Sequence, residues 1–368
     1  MIEIRSIKPV AVRLPMRKPV VMAGEEVRAA ENVLVRVEGG DGTLGWGEAA
    51  SAPTMTGETL ASMVAAIQIV SPALLGRDAG DIEGACAAMD AKLYGNSGAK
   101  AAVEIALHDL VARAAGQPVH SVLGKKVRDR IALLGVVGGG DHDGDLKDAA
   151  SKKADGYTAF KIKVGIDTAA RDAARTRAIC ELLGPGLLIS ADANQGYNAG
   201  DARDFARAVN GCGLDFLEQP VAAHDLAGMA SVAEAAPGVA IGADEGIHSL
   251  ADIQRHRDTG AARGVSLKAI KLGGLRGLLA AAQLCDRLGM SVNLAGKTGE
   301  SSIASAAALH IAAIIPDIAW ALTLTSPALR EDITGHPLAV DRGFATVMDR
   351  PGLGIDVDEA RIAAHRVG

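Results

Sequence analysis

The stretches TAFKIKV at residues 158–164 and LLISADA at residues 187–193 are two of eight short apolar runs that decide the fold. Successive runs begin 25 to 29 residues apart, and a helical segment follows each run. One strand, one helix and two short loops occupy about that length. The other six runs are IALLGVV at 131–137, LDFLEQ at 214–219, VAIGADE at 239–245, GVSLKAI at 264–270, SVNLA at 291–295 and AWALTL at 319–324.

Eight evenly spaced βα units predict an α/β fold in which the strands close into a TIM-like (β/α)8-type barrel. The alternative is an open doubly wound sheet. Such a sheet usually has fewer units and a phosphate-binding glycine turn after its first strand. We therefore predict a barrel domain over residues 126–340.

Residues 1–125 have a different pattern and predict a separate α+β domain. A strand meander comes first, because glycines 39, 40 and 42 turn one strand into the next. Helical patterns follow at about 57–70, 80–93 and 99–115. Residues 341–368 form a tail that either caps the barrel or returns to the first domain, and their pattern alone leaves this open.

Composition excludes several classes of protein. The net charge is −6, and 2 Trp, 3 Tyr and 4 Phe are too few for the stacking platforms of nucleic-acid binders. No membrane partner is expected, because polar residues interrupt even the longest apolar region, at 303–324. The four cysteines form no CxxC pair, and the N-terminus lacks the apolar core of a signal peptide. We expect a cytoplasmic protein.

Charged residues stand at the carboxyl ends of successive runs, where a barrel carries its chemistry. The steps from one run to the next are close to one βα unit, so these side chains are predicted to converge on one mouth. They are Lys161 and Lys163, Asp192, Glu218, Asp244 with Glu245, and Lys268.

The three carboxylates at Asp192, Glu218 and Asp244 predict a metal site. Together in a barrel mouth they would repel one another without a cation between them. Ligands that are all oxygen select a hard ion, which favours Mg²⁺, or Mn²⁺ as a second choice, over zinc. The alternative is a charge network that merely closes the rim of the barrel.

A metal at this position would suggest a specific chemistry. By binding a substrate carboxylate it stabilises the enediolate formed when the neighbouring carbon loses a proton. Lys163 would be the base, since the charge of Lys161 disfavours its ammonium form. Lys268 would face it across the substrate. A Schiff-base aldolase also uses a barrel lysine, but it needs no carboxylate trio.

These motifs resemble the enolase superfamily and, within it, the muconate lactonizing (cycloisomerase) subgroup, over nearly the whole chain. The first domain contributes GWGEAA from Gly45 and AKAAVEIALHDLVARAAGQPV from Ala99. The barrel contributes FKIKVG from Phe160, SADANQ from Ser190, FLEQPV from Phe216, ADEGI from Ala243 and LKAIKLGG from Leu267.

The resemblance implies a role for each matching residue. Asp192, Glu218 and Asp244 would be the metal ligands, Lys163 and Lys268 the acid/base pair, and Lys161 the neighbour that tunes Lys163. Asn194 and Glu245 would support the metal, and Glu300 in GKTGESSIAS matches a glutamate of the subgroup. Residues 1–125 would be a capping domain with specificity loops near 19–26 and 51–58. The tail would return to this domain.

Two departures narrow the function that the resemblance implies. SVNLA has no histidine, which disfavours the mandelate racemase branch, and residues 322–325, LTLT, lack the acidic pair of dipeptide epimerases. A muconate-type cycloisomerase is the leading interpretation. The alternatives are a racemase or epimerase of N-substituted amino acids, a syn-dehydratase of the o-succinylbenzoate synthase type, and a non-catalytic carboxylate-binding pseudo-enzyme. We expect a small carboxylate substrate and a homo-oligomer.

Overall fold

The computed structural model describes residues 1–22, 25–138 and 141–368 of the chain. Its N-terminal part has a three-stranded antiparallel sheet in the order β1-β2-β3, against which helices pack. We call this part the cap. Its elements are β1 (Ile4–Met22), β2 (Glu25–Gly39), β3 (Leu44–Ala50), α1 (Leu60–Val70), α2 (Ile82–Lys92) and α3 (Ser97–Ala114).

Strand β2 lies between two apolar cores. Val33, Val35 and Val37 point into the core of the cap, whereas Leu34 points to the opposite side and packs with the core of the barrel. This is the alternation expected of a strand that is covered on both faces. On β3, a Cβ at Gly47 would lie 1.9 Å from the carbonyl oxygen of Ala102. The helix α3 therefore packs directly on the backbone of β3.

A short helix and a short strand, α4 (Val119–Leu123) and β4 (Arg130–Ala132), lead into an eight-stranded parallel sheet. A parallel bridge between Leu133 and Leu322 joins the two ends of this sheet, which closes the barrel and confirms the predicted fold class. The strands are β5 (Leu134–Val137), β6 (Ala159–Lys163), β7 (Leu188–Asp192), β8 (Phe216–Glu218), β9 (Ala240–Ala243), β10 (Gly264–Leu267), β11 (Ser291–Ala295) and β12 (Leu322–Thr323).

Helices surround the barrel, and polar side chains cap many of them. Thr168 and Ser249, for example, accept hydrogen bonds from the first-turn amides of the helices that follow them. The helices are α5 (His142–Ala154), α6 (Ala169–Leu183), α7 (Ala199–Val209), α8 (Leu226–Ala235), α9 (Leu250–Asp258), α10 (Ala269–Leu272), α11 (Leu275–Leu288) and α12 (Ser302–Ile314).

The first apolar run, at 131–137, does not form a single barrel strand. Its beginning belongs to β4, which pairs antiparallel with β14 (Phe344–Thr346), and β14 pairs in turn with β13 (Val340–Asp341). Only its second half, β5, belongs to the barrel. Since both parts are apolar, the pattern does not reveal the change of sheet.

The end of the chain lies against the cap. The amide of Val367 donates to the carbonyl of Ala11 on β1 at 3.0 Å, just after α13 (Glu359–His365). The cap also contacts the barrel through Glu104 on α3, whose carboxylate accepts from the amides of Leu275 and Arg276 at the start of α11.

An aromatic pair spans the inside of the barrel. The ring of Trp320, just before β12, stacks on Phe216 of β8 with centroids 4.0 Å apart. Gly264 leaves room for it, because a Cβ at that position would lie 2.4 Å from the indole of Trp320. None of the helices in the described part of the chain combines the length and the apolar composition that spanning a lipid bilayer requires.

Candidate active site

A cavity of about 690 Å³ opens at the carboxyl ends of the barrel strands. Eight of the nine predicted site residues line it. They are Lys161, Lys163, Asp192, Asn194, Glu218, Asp244, Glu245 and Lys268. Residues that lie far apart along the chain therefore share one wall, because parallel strands end at the same edge of the barrel.

The cap covers part of the same cavity. Val20 and Met22 come from the end of β1, and Thr54 and Met55 from the segment after β3. These four residues belong to the two segments predicted to be specificity loops, near 19–26 and 51–58. Residues 23 and 24 of the first segment lie outside the described residues.

Each carboxylate of the predicted metal site is paired with a lysine. The ammonium of Lys161 lies 2.6 Å from Glu218. Lys163 donates to Oδ2 of Asp192 and to Oδ1 of Asn194, both at 2.7 Å. The pair of Lys163 and Asp192 follows from strand register, since the two residues stand opposite each other, whereas Lys161 reaches across β7 to Glu218, which stands opposite Asp192.

Asp244 has two lysine partners, one of which was missed from the sequence. Lys268 forms an ion pair with its Oδ2. Lys271 on α10 lies 2.6 Å from its Oδ1 and also donates to the carbonyl of Ser266. The sequence contained a signal for this second lysine. In LKAIKLGG it follows the predicted catalytic lysine by three positions, which is one helical turn.

A second missed group supports the end of β6. The guanidinium of Arg175 on α6 donates to the backbone carbonyl of Lys163 at 2.7 Å. It is itself held by Asp172, which also accepts from the hydroxyl of Tyr197 at 2.7 Å and from the amide of Gly165. This buried network fixes the backbone that carries the lysine.

The lysines and carboxylates shift one another's pKa. Burial acts to raise the pKa of Asp192 and Asp244, but the facing lysines outweigh it and both pKa values are lowered. Burial and the charge of Asp192 raise the pKa of Glu218. The pKa of Lys161 and of Lys268 is raised, because the nearby carboxylates outweigh the cost of burial. The attraction between the opposite charges therefore favours the charged forms of Asp192, Asp244, Lys161 and Lys268.

Among the described residues, Glu245 has no lysine partner within hydrogen-bonding distance, unlike the three carboxylates of the predicted metal site. Its Oε1 accepts from Asn194 at 3.2 Å, and its Oε2 is buried without a partner. Burial and the charge of Asp244 raise its pKa to about 7.

The donor set fits a hard divalent cation in its chemistry. Three carboxylates at the ends of consecutive strands, and an unpartnered oxygen on Glu245, offer only oxygen ligands. In the described part of the chain, however, no three His, Cys, Asp or Glu side chains already form a group that could hold a metal. A cation bound by Asp192, Glu218 and Asp244 would compete with the lysines for their oxygens. Because those lysines balance the carboxylates, charge balance alone does not require a cation, contrary to the sequence argument.

Glu300, the ninth predicted residue, is not in the wall of the main cavity. Glu300 is buried and borders a second, small cavity, whose lining also includes Leu267 and Ala269, the two neighbours of Lys268. Burial, together with the charge of Glu48 on β3, raises its pKa to about 8. Its position is therefore behind the site and next to the cap.

Comparisons with known proteins cover both parts of the chain. Residues 4–124 match the family described as mandelate racemase / muconate lactonizing enzyme, N-terminal domain, and residues 145–361 match the enolase C-terminal domain-like family. An N-succinyl-L-Arg/Lys racemase of Bacillus cereus is 30% identical over 97% of this chain and 96% of the relative. A chloromuconate cycloisomerase of Cupriavidus necator is 31% identical over 98% of each chain.

The solved structures give the same result. The crystal structure of a muconate lactonizing enzyme from Pseudomonas fluorescens, complexed with muconolactone, matches with a TM-score of 0.94 and 30% identity over 99% of each chain. On this evidence, the chain is an enzyme of the enolase superfamily and belongs to its muconate lactonizing enzyme subgroup.

Proposed function

We propose that the chain catalyses the magnesium-dependent abstraction and return of a proton next to a substrate carboxylate, through an enediolate. One observation carries this proposal: Lys163 at the end of β6 and Lys268 just after β10 line one cavity. The strands β6 and β10 are four apart in an eight-stranded barrel, so the two lysines approach the cavity from opposite sides. A planar intermediate between them can exchange a proton on either face.

The remaining residues of the site bind and orient the substrate. Asp192, Glu218 and Asp244 would hold the divalent cation, with manganese as the alternative to magnesium. When bound, the cation would stabilise the negative charge that develops on the substrate carboxylate. Lys161 forms an ion pair with Glu218, and Asn194 accepts a hydrogen bond from Lys163 and donates one to Glu245.

For the specific reaction, the leading candidate is a muconate-type cycloisomerisation. One carboxylate of the diacid adds across a carbon–carbon double bond, and a lysine protonates the neighbouring carbon of the resulting enolate. The likeness to chloromuconate cycloisomerases supports this reaction. The eighth strand also supports it, because Leu322, Thr323, Leu324 and Thr325 offer no carboxylate to a substrate ammonium group.

The second candidate is the racemisation of an N-substituted amino acid. A lysine on each side of the cavity favours it, since racemisation removes a proton from one face and returns one to the other. The relative from Bacillus cereus, named N-succinyl-L-Arg/Lys racemase, also supports it, because its sequence identity to this chain is nearly the same as that of the chloromuconate cycloisomerase. A blocked amino group would also need no carboxylate partner on β12.

A single experiment separates these candidates. The protein is incubated in deuterium oxide with Mg²⁺ and a panel of muconates and N-acylated amino acids, and the reaction is followed by proton NMR. Formation of a lactone identifies the cycloisomerase, and loss of an α-proton signal with loss of optical activity identifies the racemase. The double variant Lys163→Ala/Lys268→Ala measures the background. If no member of the panel gains or loses a proton above that background, the proposal is wrong.

The expected partners and compartment stay predictions. A homo-oligomer predicts a molar mass that is a multiple of 37.5 kDa in light scattering. Cytoplasmic localisation predicts that the four cysteines, all free in the structure, stay reduced in the cell.

A further inference from the structure

A buried carboxylate of the cap accepts hydrogen bonds from the start of the barrel helix α12. Glu48 on β3 is fully buried, and its oxygens accept from the amide of Ser301 at 2.9 and 3.1 Å and from its hydroxyl at 2.7 Å. They also accept from the amide of Ala304 at 3.0 Å and from the side-chain amide of Asn32 at 2.6 Å. A carboxylate at a helix N-terminus is stabilised by both the free amides and the helix dipole.

The segment that Glu48 grips belongs to the active site. Between β11 and α12 the chain supplies Gly296, Lys297 and Thr298 to the wall of the main cavity. Asn32 on β2 makes a second link to this segment, by donating to the carbonyl of Gly299 at 2.8 Å. Two neighbouring strands of the cap therefore hold one loop of the barrel.

Glu300 lies in the same loop, immediately before the residue that Glu48 grips. Its carboxyl group packs over the backbone of Gly296, since a Cβ there would lie 2.7 Å from its Oε2. Glu48 and Glu300 border the same small cavity, next to the neighbours of Lys268. The charge of Glu48 acts to raise the pKa of Glu300, whereas the charges of Lys268 and Lys297 act to lower it.

We propose that Glu48 is a positioning residue, which fixes the loop between β11 and α12 so that Glu300 is held beside Lys268. Its negative charge also faces Glu300 and favours the protonated form of that carboxyl group. Burial raises the pKa of Glu48 itself to about 7, so this effect is strongest above neutral pH, where Glu48 is ionised. The cap then sets the protonation of a barrel residue as well as its position.

The effect on catalysis rests on the proposed function, but the positioning can be measured without it. Glu48→Gln keeps the shape of the side chain and removes its charge. The titration of Glu300 is followed by carbon-13 NMR of the carboxyl groups, in which the Glu300 signal is the one that disappears in Glu300→Gln. We expect this signal to titrate at lower pH in Glu48→Gln than in the wild type. Amide hydrogen exchange at Ser301 and Ala304 is expected to become faster.

Glu104→Gln is the matched control, because Asp332, which also caps α12, acts on the charge of Glu48 itself. Glu104 is another buried carboxylate of the cap that accepts from the first amides of a barrel helix, but the helix is α11 and not the one that follows Glu300. Its replacement is expected to leave the titration of Glu300 unchanged. If instead both variants shift it alike, Glu48 is only one of several helix caps and the proposal is wrong.

Activity gives the second measurement. We expect Glu48→Gln to lower kcat/KM about tenfold to a hundredfold, as displacements of catalytic loops do, and to move the basic limb of the pH profile to lower pH. An unchanged kcat/KM together with an unchanged titration of Glu300 would overturn the proposal. If the wild-type protein is inactive on the whole panel, the proposed function fails, and the titration and exchange data still decide the role of Glu48. Circular dichroism of each variant excludes unfolding as the cause.

Discussion

The ammonium nitrogen of Lys163 lies 2.7 Å from Oδ2 of Asp192, and the two residues stand directly opposite each other on neighbouring strands. The proposed base is thus held by a proposed metal ligand. For Lys163 to reach a substrate proton, its ion pair with Asp192 must break and the Asp192 carboxylate must bind another group. Binding of a cation and freeing of the base are therefore expected to be coupled.

Lys163→Ala is expected to lower kcat by about a hundredfold to ten-thousandfold, because a general base contributes about 10² to 10⁴ in rate and no other described side chain occupies its place. Binding of Mg²⁺, measured by calorimetry, should persist, since Asp192 loses a competitor. Lys147→Ala, on the exposed side of α5, is the matched control and should keep full activity. Full activity of Lys163→Ala would contradict the assignment.

Lys268→Ala gives a different expected result if the substrate is an amino-acid derivative. Racemisation should stop, but Lys163 can still exchange the α-proton of the enantiomer that faces it. Proton NMR in deuterium oxide would then show washout from one enantiomer and none from the other. Equal loss of the α-proton signal from both enantiomers would mean that Lys268 does not exchange the proton on the face of the substrate opposite Lys163.

Addition of Mg²⁺ should raise the melting temperature of the wild-type protein, because a ligand that binds only the folded state stabilises it. At a hundred times the dissociation constant, this amounts to about 2.7 kcal/mol. Glu218→Gln is expected to remove the effect, and Glu234→Gln, an exposed residue on the following helix α8, should retain it. A melting temperature that responds to Mg²⁺ equally in all three proteins would place the cation elsewhere.

Much of the barrel could be predicted because hydrophobic spacing reports burial. Each apolar run contains one barrel strand, and Asp192 and Glu218 end theirs as expected. The change of sheet between β4 and β5 could not be predicted, since Ile131 and Leu134 are equally apolar and both buried. Burial does not specify which strand a residue pairs with.

The partners of the charged residues were harder to predict than their positions. Strand register places Lys163 beside Asp192, but only packing of α10 brings Lys271 to Asp244. Likewise, no sequence pattern predicts the hydrogen bond between Glu48 and Ser301, because these residues are 253 positions apart. Such contacts depend on how the cap docks on the barrel, and neither pattern nor propensity describes that docking.

Gly264→Ala is expected to destabilise the barrel. The added Cβ would meet the indole of Trp320 at 2.4 Å and the carbonyl oxygen of Ser291 at 2.6 Å, so the stacked pair or the strand must move. Overpacking of this kind costs about 1 to 3 kcal/mol, measurable by urea unfolding. Gly335→Ala, where a Cβ would meet no atom within 4 Å, is the control and should change stability by less than about 0.5 kcal/mol.

The stability of the protein should depend on pH through Glu300. Burial raises its pKa from 4.5 to about 8, so the folded state keeps a proton that the unfolded chain releases above about pH 4.5. The folded state binds more protons in this window, and stability therefore falls as pH rises from about 4.5 to about 8.

Glu300→Gln removes this penalty. Its free energy of unfolding should fall less than that of the wild type between pH 5 and pH 8, by up to about 1.4 kcal/mol for each unit of the pKa shift. Urea unfolding at pH 5, 6.5 and 8 measures the difference. Glu331→Gln, at an exposed position, should run parallel to the wild type. If the free energy of unfolding of Glu300→Gln depends on pH in the same way as that of the wild type, the carboxyl group of Glu300 is already ionised in the folded protein at pH 5. Burial behind Lys268 then does not raise its pKa.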